Sequence, residues 1–163
     1  MNELNELKKP EITATGATRY IVFYLGDGTY AVPLLKVREV IAQTEITPVP
    51  YTPRYIKGVT NLRGQVITVI DLRAKLKIKT ADASSETAII ILDLVPVSLG
   101  IVVDSVDSVV AIHPDQVRPS PDLEGEIHTD LLGIARIDEK LILILDIDKT
   151  LNLDELTGRK AAA

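Results

Sequence analysis

From about residue 19 onward, apolar runs of strand length alternate with turn signals. "RYIVFYLGDGTYAV" sets two apolar arms around Gly26-Asp27-Gly28, the short-range signature of a β-hairpin. In "PLLKVREVIA", Leu34, Val37 and Ile41 recur at helical spacing behind Pro33, a tolerated first-turn residue, and this predicts one short helix. "TPVPYTPRYIKG" carries three prolines and reads as an extended connection with one tight turn. A second hairpin follows in "KGVTNLRGQVITVIDL", from Lys57 to Leu72. There Asn61 suits the first position of a type I turn, Leu62 and Arg63 its middle, and Gly64 the left-handed position that closes it with a bulge.

The second half of the chain repeats the first. Aligned from Gly58 onto Gly133, "GVTNLRGQVITVIDL" matches "GIARIDEKLILILDI" without a gap. Val59 falls on Ile134, Leu62 on Ile137, Val66 on Leu141, Val69 on Ile144 and Asp71 on Asp146. Upstream, Val37, Val40 and Ile41 fall on Val106, Val109 and Val110. The later turn, Ile137-Asp138-Glu139-Lys140, has no Gly, Asn or Arg, so only one copy carries the arginine. Both copies of the long strand are apolar on two faces: Ile67 and Val69 against Val66 and Ile70, then Ile142 and Ile144 against Leu141, Leu143 and Leu145. A sheet with one wet face alternates, so these strands require cover on both sides. Two small barrels leaning on each other supply it.

Composition narrows what such a body can do. Hydrophobic residues make up 46% of the 163 and aromatics only 4%, so the core is Val, Ile and Leu. The net charge of -5, with no basic stripe, argues against a nucleic-acid partner. Cysteine is absent, which excludes a disulfide framework and fits a reducing cytosol. No apolar run approaches the ~20 residues of a membrane span, and the amino terminus has no signal-peptide core. His113 and His128 have no metal-ligand spacing, and neither GxGxxG, GxxxxGKS/T nor GxSxG is present. Asp71 and Asp146, at matching strand ends, fit the caps of the next turn better than a general acid and base. Neither an enzyme nor a cofactor or metal site is expected.

"IKGVTNLRGQVITVIDLR" resembles the signature hairpin of the CheW family of chemotaxis coupling proteins, and "FYLGDGTYAVPLLKVREVI" and "LGIVVDSVDSVVAI" resemble its other recurrent segments. With no receiver or kinase domain beside it, the chain is similar to the stand-alone members. The resemblance implies an all-β fold of two SH3-like five-stranded β-barrels packed around a shared hydrophobic core, with a few short helices. It places a flexible leader at 1–18, the CheW-like domain at 19–153 with repeat halves near 19–76 and 86–151, and a tail at 154–163. It also implies a non-catalytic adaptor, cytoplasmic and recruited to receptor arrays, between the regulatory domain of the histidine kinase CheA and the cytoplasmic tip of chemoreceptors. By motif position Val37, Glu39, Asn61 and Arg63 would line or support the receptor groove, Val37 by apolar contact and Arg63 by charge, with Glu39 orienting Arg63 and Gly58 and Gly64 shaping the backbone. A barrel that binds a small molecule between its lobes is the alternative from a different class.

Overall fold

The computed structural model describes residues 16–79, 82–119 and 131–152. Most of the expected leader, the whole expected tail and His128 lie outside these. Ala17 and Thr18, expected in the leader, belong to the fold instead: Ala17 is buried and Thr18 starts a strand. Among the described residues eleven strands run in the order β1 (Thr18–Leu25), β2 (Gly28–Pro33), β3 (Val37–Ala42), β4 (Ile56–Leu62), β5 (Gln65–Asp71), β6 (Ala88–Asp93), β7 (Ser98–Val103), β8 (Ser105–Ile112), β9 (Val117–Arg118), β10 (Leu131–Ile137) and β11 (Lys140–Leu145). Two single-turn helices, α1 (Leu72–Lys75) and α2 (Ile147–Leu151), follow β5 and β11. Asp71 and Asp146 cap them, each accepting through Oδ1 from the backbone N–H three residues on, as the sequence predicts.

The predicted helix over 34–41 is not formed. Leu34–Lys36 make one 3-10 turn, and Val37–Ala42 form β3 against β6. The helical spacing has a physical source: a bulge between Val37 and Glu39 breaks the alternation of the strand, so its apolar residues fall three and four apart. The β-branched side chains at Val37, Val40 and Ile41 favour the extended backbone.

The strands form a six-stranded sheet in the order β8-β1-β2-β11-β10-β9 and a five-stranded sheet in the order β3-β6-β7-β5-β4. Each sheet therefore draws on both repeat halves. The division between sheets differs from the division between repeats, because β1 and β2 pair with the second half and β6 and β7 with the first. Among the described residues the chain crosses between sheets twice, at the 3-10 turn before β3 and at Asp104 between β7 and β8.

Each sheet bends back on itself. After β3 the chain returns to β4, where Thr47 and Val59 exchange backbone hydrogen bonds of 2.8 and 2.9 Å. After β8 the chain likewise returns as β9 to β10. A bulge in β4 lies at Ile56/Gly58 and one in β10 at Leu131/Gly133, and the two strands share one burial pattern along their length. At both bulges a glycine lets the returning backbone come close. A Cβ on Gly58, whose φ is 149°, would stand 2.2 Å from the Thr47 carbonyl oxygen, and one on Gly133 2.8 Å from that of Arg118.

Alternation then sorts the side chains into three cores. Ile67, Val69, Ile89 and Ile91 fill the five-stranded lobe, and Val22, Ala31, Ala135, Ile142 and Ile144 with Ile112 fill the other. A third, larger cluster takes the opposite faces of both sheets, including Ile21, Phe23, Leu25, Ile70, Ile90, Leu92, Ile101 and Leu145. This is the shared core of an SH3-like all-β fold, and it explains strands that are apolar on both faces. Val66 and Leu141 are the exceptions: at the hairpin tips, beyond the reach of either core, they stand 68% and 62% exposed.

An ion pair fastens each crossing to the helix that follows the hairpin of the sheet being left. Lys36 donates to Asp148 of α2 at 2.8 Å. At the second crossing Arg73 of α1 donates Nε to Asp104 Oδ1 at 2.7 Å and Nη2 to Oδ2, while the Gly26 N–H reaches Oδ2 at 2.7 Å. The hydrogen bonds from Arg73 hold the Asp104 carboxyl below its ordinary range, against the opposing effect of partial burial. A carboxylate depressed on folding stabilises the fold above its unfolded pKa of about 4 and ceases to do so as pH falls through the folded value. The melting temperature of Asp104→Asn is therefore expected to be lower than wild type near neutrality and to fall less steeply below about pH 4. Gly58→Ala should cost roughly 3 kcal/mol by chemical denaturation, because its Cβ meets backbone that cannot rotate away.

Candidate functional site

The β4–β5 hairpin carries the predicted site. Leu62 pairs directly with Gln65, so the turn has two residues, Arg63 and Gly64, with φ of 51° and 85°. Both central residues are left-handed, as a type I′ turn requires, and this replaces the predicted type I turn centred on Leu62-Arg63. Asn61 holds the loop by accepting the Gly64 N–H on Oδ1 at 2.8 Å. Nothing lies within 4 Å of a Cβ built on Gly64, so the glycine serves backbone conformation and not space. The turn lifts the Arg63 side chain clear of the surface, 68% exposed.

Sheet curvature brings β3 beneath this tip. Arg63 Nη2 donates to Glu39 Oε2 at 2.6 Å, and Glu39, 14% exposed, keeps its other oxygen Oε1 buried without a hydrogen-bond partner. The hydrogen bond and charge of Glu39 raise the Arg63 pKa further. Glu39, Asn61, Arg63 and Gly64 thus form one cluster. Val37 and Gly58 stand apart from its surface. Val37 is fully buried in the shared core, which corrects the expectation that it offers apolar contact to a docked helix, and Gly58 is buried at the seam with Thr47.

The neighbouring residue was not foreseen. Arg38, the bulged residue of β3, donates Nη1 to Gln65 Oε1 at 2.9 Å and Nη2 to Ser98 Oγ at 2.7 Å. Gln65 and Ser98 lie on the wall of a groove of about 500 Å3, with Val59, Val66, Val97 and Leu99 among its other lining residues. All of the lining comes from the segment that forms the five-stranded sheet and its loops, so this is not a cavity between lobes.

The equivalent tip in the other lobe has the same backbone and the opposite charge. Asp138 and Glu139 take φ of 48° and 67°, and Lys140 donates Nζ to the Tyr24 hydroxyl at 2.7 Å with Asp107 Oδ2 4.0 Å away. Chemistry of other kinds is thin. His113 caps the 3-10 turn at Pro114–Gln116 by accepting the Asp115 N–H on Nδ1. Among the described residues no three His, Cys, Asp or Glu converge as a metal site would need, and no helix is long and apolar enough to cross a membrane.

The sequence and the fold match those of a known family. The family model described as the CheW-like domain matches residues 19–155. The chain is 34% identical to the chemotaxis protein CheW of Klebsiella aerogenes, covering 87% of this chain and 86% of that one. It is 30% identical to the chemotaxis protein CheW of Bacillus subtilis, over 82% and 86% of the two chains. The crystal structure of the scaffolding protein TtCheW from Thermoanaerobacter tengcongensis superposes with a TM-score of 0.73 at 34% identity, covering 78% of this chain and 82% of that chain.

Glu139 occupies a left-handed position that its relative in the first turn leaves to glycine. Glu139→Gly should raise stability by about 0.5 to 1 kcal/mol in chemical denaturation, the strain relieved exceeding the entropy that glycine adds to the unfolded chain.

Proposed function

The chain belongs to the CheW-like family, a family of chemotaxis scaffolds and not of enzymes, and on that premise we propose that it couples chemoreceptors to the histidine kinase CheA. It does so without catalysis, by binding the regulatory domain of the kinase and the cytoplasmic tip of the receptors at once. Its place at the membrane is borrowed from those receptors. The observation that carries this reading is the Arg63 tip. A guanidinium held on a two-residue turn, and aimed by a carboxylate mostly hidden beneath it, presents a planar donor set at a fixed position.

An exposed ion pair adds little to stability, so its use is orientation. Arg63 offers its remaining N–H groups to carboxylates or carbonyls of a receptor helix. Glu39 keeps the arginine from folding back along the hairpin. Val37 and Gly58 act one layer below, the first by anchoring β3 in the core and the second by letting the β4 seam close. The inequivalent tips, one cationic and one acidic, give the two lobes different selectivities.

The test is co-sedimentation of the full chain with a receptor tip fragment and, separately, with the kinase regulatory domain. Arg63→Glu is expected to weaken capture by the receptor fragment about tenfold while kinase capture and melting temperature barely move. Undiminished receptor capture would remove Arg63 from the site. A parallel loss of both partners and of thermal stability would assign it a structural role instead.

A further inference from the structure

We propose that the groove beside β5 and β7, which adjoins the Arg63 tip, is a second docking surface for a protein segment that carries an aliphatic side chain next to a carboxylate. The aliphatic group seats against Val59, Val66 and Leu99, and the carboxylate pairs with Arg38 at the rim.

Charge carries the choice of occupant. Arg38 is a cation held by neutral groups, the Gln65 amide oxygen and the Ser98 hydroxyl, and these use two of its five N–H donors. Both partners line the groove, so the guanidinium is fixed at its edge, with no ion pair among the described residues to match its charge. Arg63 and Arg73 each meet a carboxylate, whereas Arg38 is oriented on the groove wall by two neutral partners and is thereby prepared to receive a carboxylate from outside. An arginine already oriented by two hydrogen bonds loses less freedom on binding an anion than a mobile one.

Apolar surface supplies the other half. Val66 is 68% exposed on the strand that walls the groove, and Val95, beside the lining residue Pro96, is 81% exposed. Aliphatic groups standing free beside a groove of about 500 Å3 match an apolar side chain better than a polar solute. The bulge in β3 is the device that makes the site, since it takes Arg38 out of the ladder register that its neighbours keep.

The test is selection from a random displayed peptide library on the full chain, followed by measurement of the enriched peptides in solution. The expected consensus joins Leu, Ile or Val to Asp or Glu, and replacing the acid by its amide weakens binding about tenfold. On Arg38→Glu the consensus should exchange its acid for Lys or Arg, and on Val66→Ser the aliphatic preference should be lost, each with an unaltered melting temperature. Peptides that lack an acidic residue, that bind Arg38→Glu undiminished, or that fail to be enriched would overturn the proposal. So would a small apolar molecule that occupies the groove when no peptide does.

Discussion

Closure of each sheet on itself is the constraint from which the rest of the structure follows, and it rests on backbone brought nearer than a side chain would permit. Gly58 lets Thr47 exchange hydrogen bonds with Val59, and Gly133 does the same service where β9 meets β10. Without these contacts β3 and β4 would be open edges at opposite ends of the five-stranded sheet. With them, β3 lies beneath the β4–β5 tip, and Glu39 and Arg38 reach Arg63 and Gln65. The candidate site is therefore a product of curvature. Its residues are remote in sheet order and meet only because the sheet bends round.

The same closure explains why sequence repeats and sheets divide the chain differently. Each repeat half supplies a hairpin and a further set of strands, three in the first half and four in the second among the described residues, but the hairpin of one half joins the set of the other. The halves meet at two parallel pairings, β5 with β7 and β11 with β2, and at two antiparallel ones, β3 with β6 and β1 with β8. Opposite faces of a strand then feed two of the three cores, the one inside its own lobe and the one shared between the lobes. Alternation of apolar residues determines how many faces a strand must bury, and that much was legible in Ile67, Val69 and Ile70. It does not encode which strand lies alongside. Pairing between strands as distant in the chain as those of Tyr30 and Leu143 depends on the shared core as a whole, for which no short stretch carries a signal.

Two local misreadings have one cause, namely backbone irregularity that mimics a commoner pattern. The bulge at Val37 and Glu39 converts strand alternation into the spacing of a helix. The type I′ turn places a left-handed backbone on Arg63, where sequence rules favour Asn or Gly and so shift the turn back by one residue. The Glu39 and Arg63 pair was legible, because motif position placed both residues at one site. Arg38, Gln65 and Ser98 were not, being separated by 27 and 60 residues and joined only through the bulge. A polar residue at an apolar position of a strand is the one signal that could have drawn notice to Arg38.

An adaptor must hold two surfaces in fixed relation, and the two crossings decide how well this one does. All of the five-stranded sheet is a single insertion between β2 and β8, so the lobes are joined covalently at Lys36 and Asp104 and elsewhere by the shared core. The crossings are fastened unequally. Arg73 grips Asp104 through two nitrogens, with the Gly26 N–H as a third donor, whereas Lys36 meets Asp148 through one hydrogen bond between groups 37% and 49% exposed. Charge-assisted, two-point contacts resist rotation that a single exposed pair allows. The β2 to β3 crossing is thus the less firmly held of the two. It leads directly into Val37, Arg38 and Glu39, so the arginines of the five-stranded lobe stand beside the join that fewer contacts hold.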